Sequence, residues 1–138
     1  MKELDEAIQK AIAIYGKVLL LAFIKALIAL DKKDEDRLFR IALELQARHH
    51  GIRKKELLKS KKAAIVQTRH LMLYVFSNIG WSTATLKRLF GIQRNEWVLR
   101  IIEEMDNRLQ LRYPDTMQEH ERIVSSLHQL HQVFHQNQ

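Results

Sequence analysis

The sequence has no cysteine, one proline and four glycines among its 138 residues. Without cysteine the chain forms no disulfide, no thiolate nucleophile and no cysteine-ligated zinc site, which fits a reducing cytoplasm. So few helix breakers favour long α-helices over a β fold that needs many turns. The most apolar run, residues 18–30, contains Lys25 and is shorter than the roughly 20 apolar residues that span a bilayer. We therefore expect an all-α cytoplasmic protein without a membrane partner.

Aromatic residues are also few, at 7% of the chain, whereas basic residues are abundant and unevenly spread. The chain carries 23 Lys and Arg against 16 Asp and Glu, a formal net charge of +7. Residues 48–94 hold eleven basic side chains and one acidic side chain, Glu56, so this middle third has a net charge of +10. Such a block is either a solvated basic surface or a surface whose self-repulsion an anionic partner offsets. The scarcity of aromatic rings gives little support to single-stranded nucleic acid, which binds by stacking.

Apolar residues recur at three- and four-residue steps along most of the chain, and this spacing predicts helices. The first is expected within residues 1–33 and is apolar nearly all round from Val18 onward. Such a helix needs cover on more than one side. It is therefore either a central core helix or the interface of a homodimer.

Further helices are predicted between polar or glycine-containing breaks, within a single domain of residues 1–138. They cover residues 34–49, 53–58, 63–78, 83–90 and 94–112. Ser82 is the expected N-cap of the helix over 83–90. Pro114 separates a long C-terminal helix, residues 115–138, in which Thr116 and Glu119 have the spacing of a capping box.

A short helix, Gly91 and a longer helix follow one another over residues 82–112, which are the proportions of a helix-turn-helix. In this motif the first helix crosses the DNA backbone and the second enters the major groove by its N-terminal residues. Lys87, Arg88 and Arg94 lie on or beside the turn. At these positions they are candidates to contact phosphates.

Several short segments keep a characteristic order and spacing between residues 41 and 105. They are Ile41-Ala-Leu-Glu-Leu, His50-Gly-Ile, Glu56-Leu-Leu-Lys-Ser-Lys-Lys, Thr68-Arg-His-Leu-Met-Leu-Tyr, Leu86-Lys-Arg-Leu-Phe-Gly and Val98-Leu. In these segments, within the region 34–112, the chain resembles the C-terminal DNA-binding domain of the bacterial replication initiator DnaA. That domain is a Trp-repressor-like helix-turn-helix. The initiator's ATPase module lies outside the resemblance, because the chain has no glycine-rich phosphate loop.

The resemblance implies DNA-backbone contacts from the basic loop and from an arginine in the following helix, here Lys59, Lys61, Lys62 and Arg69. It implies base contacts after the Phe-Gly pair, where the family has Arg-Asp-His-Ser/Thr-Thr. This chain has Gln93-Arg94-Asn95-Glu96-Trp97 there, so Asp-His-Thr is not kept. The departure leaves two interpretations open, an altered DNA sequence preference or the loss of DNA binding. Replication initiation, transcription regulation and association with the nucleoid are implied by the resemblance alone.

The residues themselves leave several roles open. Five lysines between residues 54 and 62 either hold phosphates or form a solvated loop; they are Lys54, Lys55, Lys59, Lys61 and Lys62. Arg69 falls within an apolar stripe and is either a phosphate contact or a structural arginine bonded to a helix end.

The residues that open the second helix of the motif suit base reading. Gln93 precedes Arg94 and Asn95, and arginine can fork onto guanine as asparagine can onto adenine. Glu96 and Glu103 oppose DNA binding by this helix, because carboxylates in a groove repel phosphates. Trp97 is either a residue at the edge of the core or a base stacker.

No catalytic constellation, cofactor motif or clear metal site is present, so we expect a protein that is not an enzyme. His128, His131 and His135 share one helical face as metal ligands can, but no carboxylate completes the set and the surroundings are rich in glutamine. The favoured hypothesis is a double-stranded DNA-binding protein. The alternative is a protein-interaction or oligomerisation module on a diverged helix-turn-helix scaffold.

Overall fold

The computed structural model describes residues 32–136, with side chains described from residue 35 to residue 127. Six helices cover this part of the chain, and no strand occurs in it; the helices are α1 (Lys32–His50), α2 (Lys54–Lys59), α3 (Ala63–Asn78), α4 (Thr83–Phe90), α5 (Asn95–Gln110) and α6 (Pro114–Gln136). The all-α prediction is confirmed. The helix predicted over residues 1–33, with its role in a core or a homodimer, lies outside the described residues except for its last two, which open α1.

The core is built around α3, which packs against α2, α4, α5 and α6. Leu71 and Val75 of this helix are fully buried, and Phe76 nearly so. The Phe76 ring stacks on the Trp81 ring with centroids 4.1 Å apart and lies 6.2 Å from the Phe39 ring of α1. Burial of each side chain of this size contributes about 1.5–3 kcal/mol to the free energy of folding. The packing of α3 therefore stabilises the elements around it.

A short helix, a glycine turn and a longer helix follow α3, as the sequence predicts. Ser82 caps α4, since its Oγ accepts a hydrogen bond from the Thr85 backbone N–H at 3.1 Å. Gly91 ends α4 with a φ of 67°, a left-handed conformation that glycine adopts without steric cost. Leu86 of α4 and Val98 of α5 are buried, and the two helices pack against each other.

The end of α5 has an arginine where helices usually have glycine. The Arg112 N–H donates to the Leu109 carbonyl at 3.1 Å, and the Tyr113 N–H donates to the Arg108 carbonyl at 3.2 Å. This is the bonding pattern of a Schellman motif. Arg112 has a φ of 59°, which costs a residue with a Cβ atom about 1–2 kcal/mol.

The capping box expected at Thr116 and Glu119 is wrong. The last helix begins at Pro114, because proline has its φ already set for a first helical position and lacks the N–H that would go unbonded there. Thr116 therefore lies inside α6, where it is buried. Its hydroxyl donates to Oε1 of Gln67 in α3 at 2.8 Å.

Helix directions follow from the contacts along α3. The second half of α5 lies beside α3, since the Arg108 Nη1 is 3.5 Å from the Gln67 Oε1 and the Tyr74 hydroxyl donates to Asp106 at 2.9 Å. Gln67 contacts Arg108, whereas Tyr74, seven positions later, contacts the earlier residue Asp106. Thus α5 runs antiparallel to α3, and α4 packs against both helices.

Among the described helices, none combines the length and the apolar character that crossing a membrane requires.

Candidate nucleic-acid interface

The densest concentration of positive charge is the stretch of residues 53–62, here called the basic segment. It contains six cations and one carboxylate, Glu56, and all seven side chains are exposed; the cations are Arg53, Lys54, Lys55, Lys59, Lys61 and Lys62. Within the described part of the chain, none of the six cations makes an ion pair. Their charge is therefore available to an external anion.

The backbone of the basic segment is fixed although its side chains are solvated. Leu57 of α2 is fully buried, and the Lys62 N–H donates to the Ser60 Oγ at 3.1 Å. Nη1 of Arg69 donates to the carbonyls of Leu57 and Ser60 at 3.0 and 3.1 Å. The cations are thus carried by a short helix and a turn that the core holds in position.

Arg69 has the structural role that the sequence left open beside a phosphate contact. Its guanidinium joins α3 to the C-terminal end of α2, where carbonyl groups lack helical partners. Burial lowers the pKa of Arg69 from its ordinary value, and the two carbonyls offset part of the cost of that burial. The sequence identified Arg69 as a candidate for a phosphate contact or for a structural bond to a helix end, but it did not distinguish these two roles.

The second group of predicted residues lies at the turn between α4 and α5. Arg88 is exposed, but it is bound to Asp36 of α1, with Nη2 2.8 Å from Oδ1. The hydrogen bond from Arg88 holds the pKa of Asp36 below its ordinary value. Lys87, on the same helix, is half-buried and makes no ion pair with a described residue.

Gln93, Arg94 and Asn95 are exposed; Arg94 is the N-cap residue of α5 and Asn95 is its first residue. The Arg94 Cζ lies 5.5 Å from the centroid of the Trp97 ring. Trp97 keeps 43% of its surface exposed, so part of the ring is covered by the protein and part is open to solvent. The outer face of α5 carries mixed charge, with Glu96, Glu103, Glu104 and Arg100 exposed.

The structure brings the predicted residues together in two groups. The basic segment directly precedes the N-terminal end of α3, whereas the ring of Phe90, at the turn between α4 and α5, lies 6.5 Å from the ring of Phe76 near the C-terminal end of α3. The two groups are separated by most of the length of α3, whose 16 residues extend over about 24 Å.

A polar network between α1, α3 and α6 was not predicted from the sequence. The Thr68 hydroxyl lies 2.8 Å from Oε2 of Glu119 and 2.9 Å from Nε2 of His50. Arg122 also binds Glu119. An open cleft of about 560 Å³ adjoins this network, lined in part by His49, Gln67, Arg108, Asp115, Glu119 and Arg122. Thr68 and Glu119 are 51 positions apart, so no local pattern reveals their contact.

No group of three or more potential metal ligands is found among the described residues. The backbone of His128, His131 and His135 lies in α6, and their side chains are outside the described part.

No protein-family model, curated protein or solved structure matches the chain.

Proposed function

We propose that the protein binds double-stranded DNA without catalysing a reaction. In this proposal α4 and α5 form a helix-turn-helix whose second helix faces the major groove. The basic segment and Lys87 contact phosphates. The observation that carries the proposal is the basic segment itself, with six exposed cations that are free of ion pairs to described residues and fixed on an ordered backbone.

The physical reason is the salt-dependent affinity of cations for a polyanion. Each phosphate that a lysine or arginine neutralises releases condensed counterions, which gives binding its free energy at low salt. Cations already paired within the protein must break those pairs first. The basic segment has no such pairs to described residues, whereas Arg88 has one with Asp36.

The spacing of the two groups also supports a duplex rather than a compact anion. A small anion could reach one group but not both, because most of the length of α3, a helix of about 24 Å, lies between them. Half a turn of B-form DNA, the distance between neighbouring grooves, is roughly 17 Å. In this proposal both groups face the duplex, with the turn residues in one groove and the basic segment on an adjacent stretch of backbone.

The experiment compares two variants of the full chain that lose the same charge. Lys61→Gln/Lys62→Gln removes two cations of the basic segment, and Arg40→Gln/Arg112→Gln removes two exposed cations elsewhere. Fluorescence anisotropy with a labelled duplex of about 20 base pairs gives the affinity of each at several salt concentrations.

We expect the Lys61/Lys62 variant to lower the magnitude of the salt slope by about 2, which is the loss of two phosphate contacts. The Arg40/Arg112 variant should leave the slope nearly unchanged. Equal effects of the two variants would mean that the affinity reflects net charge and not this segment.

A second function, as a protein-interaction module, has its own supporting observation. Leu111, Tyr113 and Met117 expose 67%, 50% and 42% of their surface around the turn between α5 and α6. Exposed apolar side chains grouped in this way are typical of interaction surfaces. Light scattering of the full chain, with and without Leu111→Ser/Met117→Ser, tests this function. A dimer that the double substitution dissociates would support it, and a wild-type monomer would oppose self-association.

A further inference from the structure

Arg94 and Trp97 form an exposed pair at the start of α5. Val98 and Met105 are the residues of α5 that enter the core, whereas Trp97 remains 43% exposed. The Arg94 side chain does not cap the helix, and within the described residues it makes no ion pair. Its guanidinium lies against the Trp97 ring, with Cζ 5.5 Å from the ring centroid.

The backbone conformation at the start of α5 brings the side chains of Arg94 and Trp97 close together. Arg94 is the N-cap residue of α5 in an extended conformation, with φ −122° and ψ 137°, and its carbonyl accepts the Trp97 N–H at 3.2 Å. The two side chains therefore leave the first turn of α5 together. In a helix-turn-helix this first turn is the part that reaches the base edges.

An arginine held on an aromatic ring is suited to a specific planar target. The guanidinium has five N–H donors in a rigid fork, and contact with the ring restricts its rotamers without using those donors. An arginine that is already ordered loses less conformational entropy when it binds. The N7 and O6 atoms of guanine in the major groove accept such a fork bidentately, and this is the commonest specific contact in protein–DNA complexes.

We propose that Arg94 and Trp97 act together as a guanine-reading unit, in which Arg94 contacts the base and Trp97 is the positioning residue. This inference rests on the proposed function, because it names what the first turn of α5 reads in a bound duplex. It also gives Trp97 a role distinct from base stacking. The ring contacts the arginine, and the arginine contacts the guanine.

The test begins with selection of duplexes from a random pool by the full-length wild-type chain. The selected site is then used to measure the affinities of wild type, Arg94→Lys, Trp97→Ala and Trp97→Phe. Arg94→Lys is the charge-matched control, since it keeps a cation for phosphates but loses the bidentate fork. Circular dichroism verifies that each variant keeps the helical content of wild type.

We expect the wild type to enrich guanine at one position and to lose about tenfold in affinity or more when that base is changed. Replacing the same guanine by 7-deazaguanine, which lacks the N7 acceptor, should cause a similar loss. Arg94→Lys and Trp97→Ala should discriminate guanine poorly and be nearly insensitive to the 7-deaza change. Trp97→Phe should restore part of the discrimination, because phenylalanine also offers a ring face to a cation.

The outcomes separate this inference from the proposed function. If the wild type binds duplexes but selects no guanine-dependent site, or if Trp97→Ala discriminates guanine as well as wild type does, the inference is overturned while DNA binding stands. If the wild type binds no duplex at all, both are overturned.

Discussion

The guanidinium of Arg88 in α4 is bound by both oxygens of the Asp36 carboxylate in α1, with Nη2 2.8 Å from Oδ1 and Nη1 3.4 Å from Oδ2. The pair joins the first helix of the proposed helix-turn-helix to a helix 52 positions earlier in the chain. It uses one of the cations that the sequence assigned to phosphate. Under the proposed function, Asp36 would compete with DNA for Arg88.

Breaking this pair should strengthen duplex binding. Asp36→Asn removes one negative charge and frees Arg88, and we expect an affinity increase of about twofold to fivefold at low salt, the range of an exposed ion pair. Asp115→Asn is the matched control, because it makes the same charge change at an exposed acid at the start of α6. Anisotropy titrations of the two variants measure the difference. An increase no larger than that of Asp115→Asn would show that Arg88 does not compete for phosphate.

Removing the Arg69 guanidinium should destabilise the fold. Arg69→Met leaves the carbonyls of Leu57 and Ser60 without this donor, and we expect the free energy of unfolding to fall by about 1.5–3 kcal/mol, the range for hydrogen bonds to a charged group. Arg53→Met, an exposed cation on the same segment, should change it by less than about 0.5 kcal/mol. Urea denaturation followed by circular dichroism measures both. If Arg69→Met and Arg53→Met have the same free energy of unfolding, the structural role assigned to Arg69 is contradicted.

The left-handed residues that follow α4 and α5 give opposite predictions. Arg112→Gly relieves the strain of a φ of 59° and should raise the free energy of unfolding by about 0.5–1 kcal/mol. Gly91→Ala introduces that strain at a φ of 67°, where a Cβ would meet no atom within 4 Å, and should lower it by about 1 kcal/mol. Thermal denaturation of both variants checks the signs. A destabilised Arg112→Gly would indicate that the arginine side chain makes a compensating contribution.

His70 should make stability depend on pH. Burial, followed by the nearby Arg69, lowers the pKa of His70 below its ordinary value of 6.5, although Glu104 acts in the opposite direction. The unfolded chain therefore takes up a proton at a higher pH than the folded chain does. The contribution to stability is present above pH 6.5 and is lost as the pH falls towards the folded pKa.

The check is urea denaturation at several pH values between 7 and 5 for wild type and His70→Gln. We expect the free energy of unfolding of the variant to fall less steeply as the pH decreases, since glutamine does not titrate. His49 also has a lowered pKa, with burial as the largest cause, but it is exposed. His49→Gln should therefore alter the decline less, and a larger effect of His49→Gln would contradict the assignment to His70.

The local elements of this fold could be predicted because they depend on residues close in sequence. Ser82 lies immediately before α4 and Gly91 ends it, and capping and left-handed turns involve only the adjacent backbone. The apolar spacing likewise predicted helices over the segments that form α3 and α5. Thr116 was misassigned because a capping residue and a buried threonine in a first turn have the same local sequence, and Pro114 decided between them.

The contacts that define the candidate site could be predicted only in part. Charge clustering identified the basic segment, since charge is a property of composition. The partners of Arg88 and Arg69 depend on how α1, α2, α3 and α4 pack, and residue spacing contains no information on that. Two arginines assigned to phosphate are therefore bound within the protein, whereas Arg94 makes no ion pair with a described residue and contacts Trp97.

The salt dependence of duplex binding by the full-length wild-type chain tests the central proposal most directly. Anisotropy titrations between about 50 and 200 mM salt should give a linear fall of the logarithm of affinity against the logarithm of salt concentration. We predict a slope of roughly −5, as expected for about six neutralised phosphates. A slope near zero, or no duplex binding at the lowest salt, would contradict the account.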